Sequence, residues 1–251
     1  MAGVRSRDGN PAVRIDHIDH APWVEPIIED HPRLAAFDCD GTLWSVDSGI
    51  GFFKWELERG VVGPAAAATA RSQYADYLSG SVSEDAMSGY LATMHHGLSI
   101  DTVRAAAEEY VTTNVRPTFF YDMIRLVDQL RDIACNVWLV SSTNQWVIEA
   151  GAALIGLSAD RVLATAAAIV DGLVTDQLER VPNGLGKRIA LQSAVGAAPD
   201  AAFGNSRWDV EMLTYARQAY AVHPTAELAR IASECGWPVL YPQLHGAAMR
   251  A

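Results

Sequence analysis

Residues 34–37, Leu-Ala-Ala-Phe, form a short apolar run that ends in Asp38-Cys39-Asp40-Gly41-Thr42-Leu43. The run reads as a buried strand, and two carboxylates one residue apart at its C-terminal end lie where an open parallel sheet places its chemistry. On a strand Asp38 and Asp40 would share a face and Cys39 would take the other, while Gly41 and Thr42 signal a turn that splays both carboxylates around one pocket. That arrangement suits a nucleophile beside an acid/base. Cys39, on the opposite face, is expected to pack as a small hydrophobe.

Three later segments extend the pattern. The strand-like run Val137-Trp138-Leu139-Val140 ends in Ser141-Ser142-Thr143-Asn144. Ser141 is the first hydroxyl after the run, and Ser142 is its alternative, because one residue of register reverses the face a side chain uses. Asn183-Gly184-Leu185-Gly186-Lys187 leads into an apparent helix, and Ala201-Ala202-Phe203-Gly204-Asn205-Ser206-Arg207-Trp208-Asp209 leads into Glu211-Met212-Leu213. In this order the four segments resemble the motifs of the haloacid dehalogenase (HAD) superfamily of aspartate-nucleophile phosphatases. Those motifs are D-x-D-G-T, a hydroxyl at a strand tip, a lysine at a glycine-rich helix start, and G-D-S-x-x-D-x-x-M-L. One position departs from the pattern: the first acidic residue of the last motif is Asn205 here.

The stretches between the motifs set the architecture. Ile50 to Arg59, Pro64 to Leu78, Ser83 to His95 and Ile100 to Thr113 read as successive helices, with start signals at Pro64, Ser83 and Asp101. An all-helical insert directly after the nucleophile strand resembles the C1-type cap of the phosphoserine phosphatase-like branch. From there helix and strand alternate: helix Tyr121 to Arg131, helix Gln145 to Ile155, a short β segment Ala167 to Thr175, strand Ala219 to Val222, helix Ala226 to Cys235 and a last strand Pro238 to Tyr241. The expected fold is α/β, a doubly wound parallel (Rossmann-like) sheet with an inserted all-helical cap domain. Residues 1–32 read as an N-terminal extension, 33–45 and 116–251 as the core, and 46–115 as the cap. His17, His20 and His31, near Asp16, Asp19 and Asp30, read as exposed polar decoration, since no helical i, i+4 pair of histidines is present.

The resemblance implies a chemistry. Asp38 would attack phosphorus to form an aspartyl phosphate, and Asp40 would protonate the leaving oxygen and then deprotonate the hydrolytic water. Ser141 would hydrogen-bond a phosphoryl oxygen, and Lys187 would pair with that oxygen and with Asp38. Mg²⁺ would be held by the Asp38 carboxylate, the Asp40 backbone carbonyl and Asn205, with Asp209 in the outer shell or reaching the ion through water. Because Asp40 is retained, halide displacement is disfavoured; mutase activity stays open. Asp47 stands nine residues after the nucleophile, where phosphoserine phosphatases place an acid that contacts the substrate amino group. Trp44 and Trp55 flank it, either as faces for a quaternary ammonium or as packing between cap and core. Asp47, Trp44, Ser142 and Asn144 are the substrate-binding candidates, for phosphoserine, phosphocholine or another small monoester.

Composition narrows the partners. Of 251 residues 50% are hydrophobic, enough for a real core, and the net charge of −11 without a run of lysines or arginines disfavours a nucleic-acid surface. Cys39, Cys135 and Cys235 are odd in number and lack metal-ligand spacing, which suits a reducing cytoplasm. The N-terminus has no apolar core of signal-peptide length and no run is long enough to cross a bilayer, so a cytoplasmic location is expected, with no membrane partner. Oligomeric state is not legible. Two non-catalytic readings stand beside the enzyme: a pseudo-phosphatase that binds a phosphorylated ligand, motivated by Asn205, and an interaction module built on the helical insert.

Overall fold

The structure, a computed structural model, describes residues 21–244. Among them are seven strands: β1 (Leu34–Phe37), β2 (Asn136–Asn144), β3 (Val162–Val170), β4 (Leu173–Arg180), β5 (Ala201–Gly204), β6 (Gln218–Val222) and β7 (Val239–Leu240). They form one sheet in the order β4-β3-β2-β1-β5-β6-β7. Every pairing is parallel except that of β3 with β4. β1 is central and its four residues are all buried, which is why it carries no polar side chain before Asp38.

Alternation along the strands feeds two separate cores. Ala35, Phe37, Val137, Leu139 and Phe203 face one side of the sheet; Leu34, Ala36, Trp138, Val140 and Ala202 face the other. Helices α1 (Val24–Glu29), α5 (Ile100–Tyr110), α6 (Tyr121–Asp132) and α7 (Gln145–Leu154) cover the first side. Helices α8 (Leu185–Val195), α9 (Val210–Tyr215) and α10 (Ala226–Cys235) cover the second. Phe37 stacks on Phe203 with ring centroids 4.3 Å apart, and burying a side chain of this size contributes about 1.5–3 kcal/mol.

The insert is helical throughout. It contains α2 (Ser48–Arg59), α3 (Pro64–Leu78), α4 (Glu84–Thr93) and α5, followed by a π-helical turn at Val111–Val115. Phe53, Val62, Ala67, Ala70, Met87, Leu91 and Met94 give α2, α3 and α4 a core of their own. The insert is also sewn to the sheet, because Gly97 N and Ile100 N donate to the β4 end at Val174 O and Gly172 O, and Val174 N donates back to Leu98 O.

Two expectations need correction. Residues 21–32 are not a loose extension: α1 buries Val24 and Ile27 in the main core, against α6. The single β segment expected at 167–175 is part of a hairpin, β3 and β4 joined through Asp171 and Gly172, both at positive φ (52° and 76°). That is the dihedral signature of a tight two-residue hairpin turn, and it makes the last strand on this edge antiparallel. Of the N-terminal histidines, His17 and His20 lie outside the described residues; His31 lies between α1 and β1 and is exposed.

Candidate active site

The strand ends converge on a cavity of about 290 Å³ between the sheet and the insert. Asp38, Asp40, Gly41, Ser141, Ser142, Thr143, Lys187 and Asn205 line its sheet end. Asp38 follows β1 directly, and its backbone N–H still donates to Phe203 O, so the nucleophile candidate is fixed by the sheet itself. Its carboxylate takes one hydrogen bond on each oxygen, from Lys187 Nζ at 2.6 Å and from Thr42 Oγ1 at 2.9 Å.

Lys187 projects from the first turn of α8 and is buried. Its ammonium bridges Asp38 and Asp209 Oδ1, the second at 2.5 Å. Burial alone would lower the lysine pKa, but the two carboxylates outweigh it and hold the ammonium well above its ordinary value. Burial, with Asp209 adding to it, pushes the Asp38 carboxyl up to about 7 while Lys187 pulls it back. The thiol of Cys39, on the far face of the same segment, is pushed well up by burial and by Asp38 next to it, so it packs as a neutral hydrophobe.

Asp40 points into the same cavity but is held by a different set. Its Oδ1 accepts from Trp44 Nε1 at 2.5 Å, Ser48 N at 3.0 Å and Ser48 Oγ at 2.5 Å; its Oδ2 accepts from Thr143 Oγ1 at 2.7 Å. Gly41 makes the turn between the two aspartates and the rest of the loop. Its φ is 77°, and a Cβ there would sit 1.8 Å from Asn205 Nδ2, so only glycine admits the asparagine beside the cavity.

Asp209 is fully buried and committed. Its Oδ2 accepts from Asn205 N, Ser206 N and Ser206 Oγ, while Oδ1 takes Lys187. It does not line the cavity. A Cβ on Gly204 would stand 2.5 Å from Asp209 Cβ, which explains the glycine at the tip of β5.

Two of the four substrate-binding candidates, Asn144 and Trp44, are placed elsewhere or differently, and so is Trp55 beside them. Asn144 caps α7 by accepting from Val147 N and does not line the cavity. Trp44 is fully buried, stacks on Phe119 and presents its indole N–H to Asp40, which leaves no face for a ligand. Trp55 lies outside the cavity lining with Arg59 over its ring at 4.8 Å. Asp47 and Ser142 do line the cavity, and Asp47 also caps α2 through Ile50 N at 2.8 Å. Sequence reasoning missed Thr143 and Ser48, which hold Asp40, and Tyr77, Glu84 and Ser88, which close the cavity from the insert.

The four motifs thus meet at one site on a doubly wound sheet. The model of the haloacid dehalogenase-like hydrolases matches residues 35–214. The chain belongs to that family. Among relatives of this hydrolase is the histidinol-phosphatase of Neisseria meningitidis, 28% identical over 227 residues that span 83% of this chain and 98% of the relative. A protein of unknown function from Bordetella pertussis shares the hydrolase's fold with a TM-score of 0.74 at 24% identity, over 83% of this chain and 97% of that one. A substrate-bound phosphoserine phosphatase does so with a TM-score of 0.51 at 16% identity, over 79% and 89%.

As for metal, the donors at the sheet end are hard oxygens. Two carboxylates, Asp38 and Asp209, share the one ammonium and Asp40 lines the cavity without a cation partner among the described residues, which leaves an excess of negative charge at this end. Among the described residues no three His, Cys, Asp or Glu side chains converge as a ready metal cage. A hard cation that keeps several waters and takes one carboxylate plus neutral oxygens fits this donor set, which is the habit of Mg²⁺.

Proposed function

We propose that this hydrolase is a Mg²⁺-dependent phosphatase that cleaves a small-molecule phosphate monoester through an aspartyl-phosphate intermediate. The observation that carries the reading is the buried Asp38–Lys187 ion pair, with Asp40 two residues on and facing the same cavity. Names of relatives support the reaction class, since one is a histidinol-phosphatase and another a probable phosphatase of Mycobacterium tuberculosis. Both names speak of phosphatase activity.

Lys187 and Thr42 each donate to one oxygen of Asp38, which fixes the direction of the carboxylate for an attack on phosphorus opposite the leaving oxygen. As the P–O bond to the alcohol breaks, Asp40 gives its proton to the leaving oxygen. Asp40 then takes a proton from water, whose oxygen attacks the phosphorus of the aspartyl phosphate, releasing phosphate and restoring Asp38. The hydroxyls of Ser48 and Thr143 can reverse from donor to acceptor when Asp40 carries the proton, so both protonation states stay hydrogen-bonded. Ser141 and Ser142 line the same end of the cavity, and in this reading their hydroxyls would meet phosphoryl oxygens.

Asp38, the backbone carbonyl of Asp40 and the amide oxygen of Asn205 would hold the ion, and Asp209 would fix the loop that carries Asn205. Bound there, Mg²⁺ supplies positive charge that lets a carboxylate approach a dianion. The test is phosphate release from a panel of monoesters with and without Mg²⁺, in wild type and Asp38→Asn. Release that requires the metal and disappears in the variant is expected; release that survives Asp38→Asn contradicts the reading.

A further inference from the structure

The insert end of the cavity has a composition of its own. Asp47, Tyr77, Glu84, Met87, Ser88 and Leu91 line it, and Tyr77 Oη donates to Glu84 Oε2 at 2.6 Å. Asp47 caps α2, its carboxylate held by the backbone N–H of Ile50 and by that of Gly49, and it borders the cavity. Burial first, and then the negative charge of Asp40 with a smaller part from Glu84, pushes the Asp47 carboxyl up to about 6.

Ser88 supplies an independent observation. It is only 7% exposed, its side chain borders the cavity, and its hydroxyl has no hydrogen-bond partner among the described residues. The hydroxyl opens onto the cavity rather than being sealed from it, so a ligand group that enters can complete its bond. Among the described residues the one basic side chain in the lining is Lys187, already shared between Asp38 and Asp209.

We propose that this end is the subsite for the leaving alcohol, and that the alcohol carries a protonated amine and no carboxylate. The amine lies against Asp47 and Glu84, and a polar atom of the alcohol takes the Ser88 hydroxyl. Met87 and Leu91 accept the short carbon skeleton. An ammonium relieves the repulsion between the two carboxylates, whereas a carboxylate on the substrate would add to it with no cation to offset it. The substrate class rests on the phosphatase reading above, and selects amino-alcohol phosphates over phosphoamino acids and over neutral polyol phosphates.

Three phosphates of matched size test it: 2-aminoethyl phosphate, the neutral 2-hydroxyethyl phosphate, and O-phosphoserine, which adds a carboxylate to the amine. With Mg²⁺ present, kcat/KM for the first should exceed the other two by on the order of tenfold, the worth of one charge-assisted hydrogen bond. Glu84→Gln and Asp47→Asn should each shrink that ratio, and asparagine still caps α2. Preference for the neutral or carboxylated compound overturns the proposal, as does a ratio unchanged in both variants. If no compound is turned over, the phosphatase reading has failed on its own. Calorimetric titration of the same compounds into the wild-type protein then decides the subsite: tighter binding of 2-aminoethyl phosphate upholds it, and equal or weaker binding overturns it.

Discussion

Asp40 receives four hydrogen bonds, three on one oxygen and one on the other, from residues that belong to three different elements of the chain. That number leaves its carboxylate little freedom, and orientation of an acid/base is worth rate rather than binding. Trp44→Phe and Thr143→Val should therefore each lower kcat by about tenfold with KM little moved, while Asp40→Asn should cost on the order of 10² or more. Steady-state kinetics on one aryl phosphate separates the cases; an unchanged kcat in both positioning variants would remove them from this role. At Asn205 the missing charge gives a second expectation. Asn205→Asp should lower the Mg²⁺ concentration for half-maximal activity several-fold, because a carboxylate binds a hard dication more tightly than an amide. An unchanged Mg²⁺ titration would mean that residue 205 does not touch the ion.

At the scale of elements, α2 and the end of α4 are tied by a fully buried pair, Glu56 Oε2 and His95 Nε2, 2.7 Å apart. The imidazole stacks on Phe52 and meets Trp146 of α7 edge-on, so this bond joins the insert to the core helix beneath it. Glu56→Ala would leave a buried ring nitrogen without its partner and open space beside it, costing about 2–4 kcal/mol. Thermal unfolding should register a fall in Tm of roughly 5–10 °C; an unshifted Tm would show that the pair holds nothing. Elements with strong local signals were legible in the sequence: α3 runs from Pro64 to Leu78 as its proline start and alanine run indicate, three of the four motif segments lie at strand tips, and the lysine segment opens α8. Others were not. α1 is six residues long with Pro26 inside it, too short for a helical period to stand out. The Asp171-Gly172 turn sat inside an apolar run that read as one segment, though Asp-Gly is itself a hairpin signal. Thr143 escaped because β2 changes register between Ser141 and Asn144, so simple alternation no longer tells which side chain faces the site.

For the whole molecule, the site lies between a sheet packed on both faces and an insert with its own small core. The backbone hydrogen bonds between residues 97–100 and the β4 end hold the insert at one edge, while the cavity opens where Asp47, Glu84 and Trp208 line it. Among the described residues no helix is long and apolar enough to cross a membrane. The central claim is that Asp38 becomes covalently phosphorylated during turnover. The most direct measurement is acid quenching during the first turnover with a phosphate-labelled monoester and Mg²⁺, followed by peptide mapping of the protein. Label is expected on the peptide that contains Asp38, absent from Asp38→Asn and lost on a chase with unlabelled substrate. Phosphate release at full rate with no label on that peptide would contradict it.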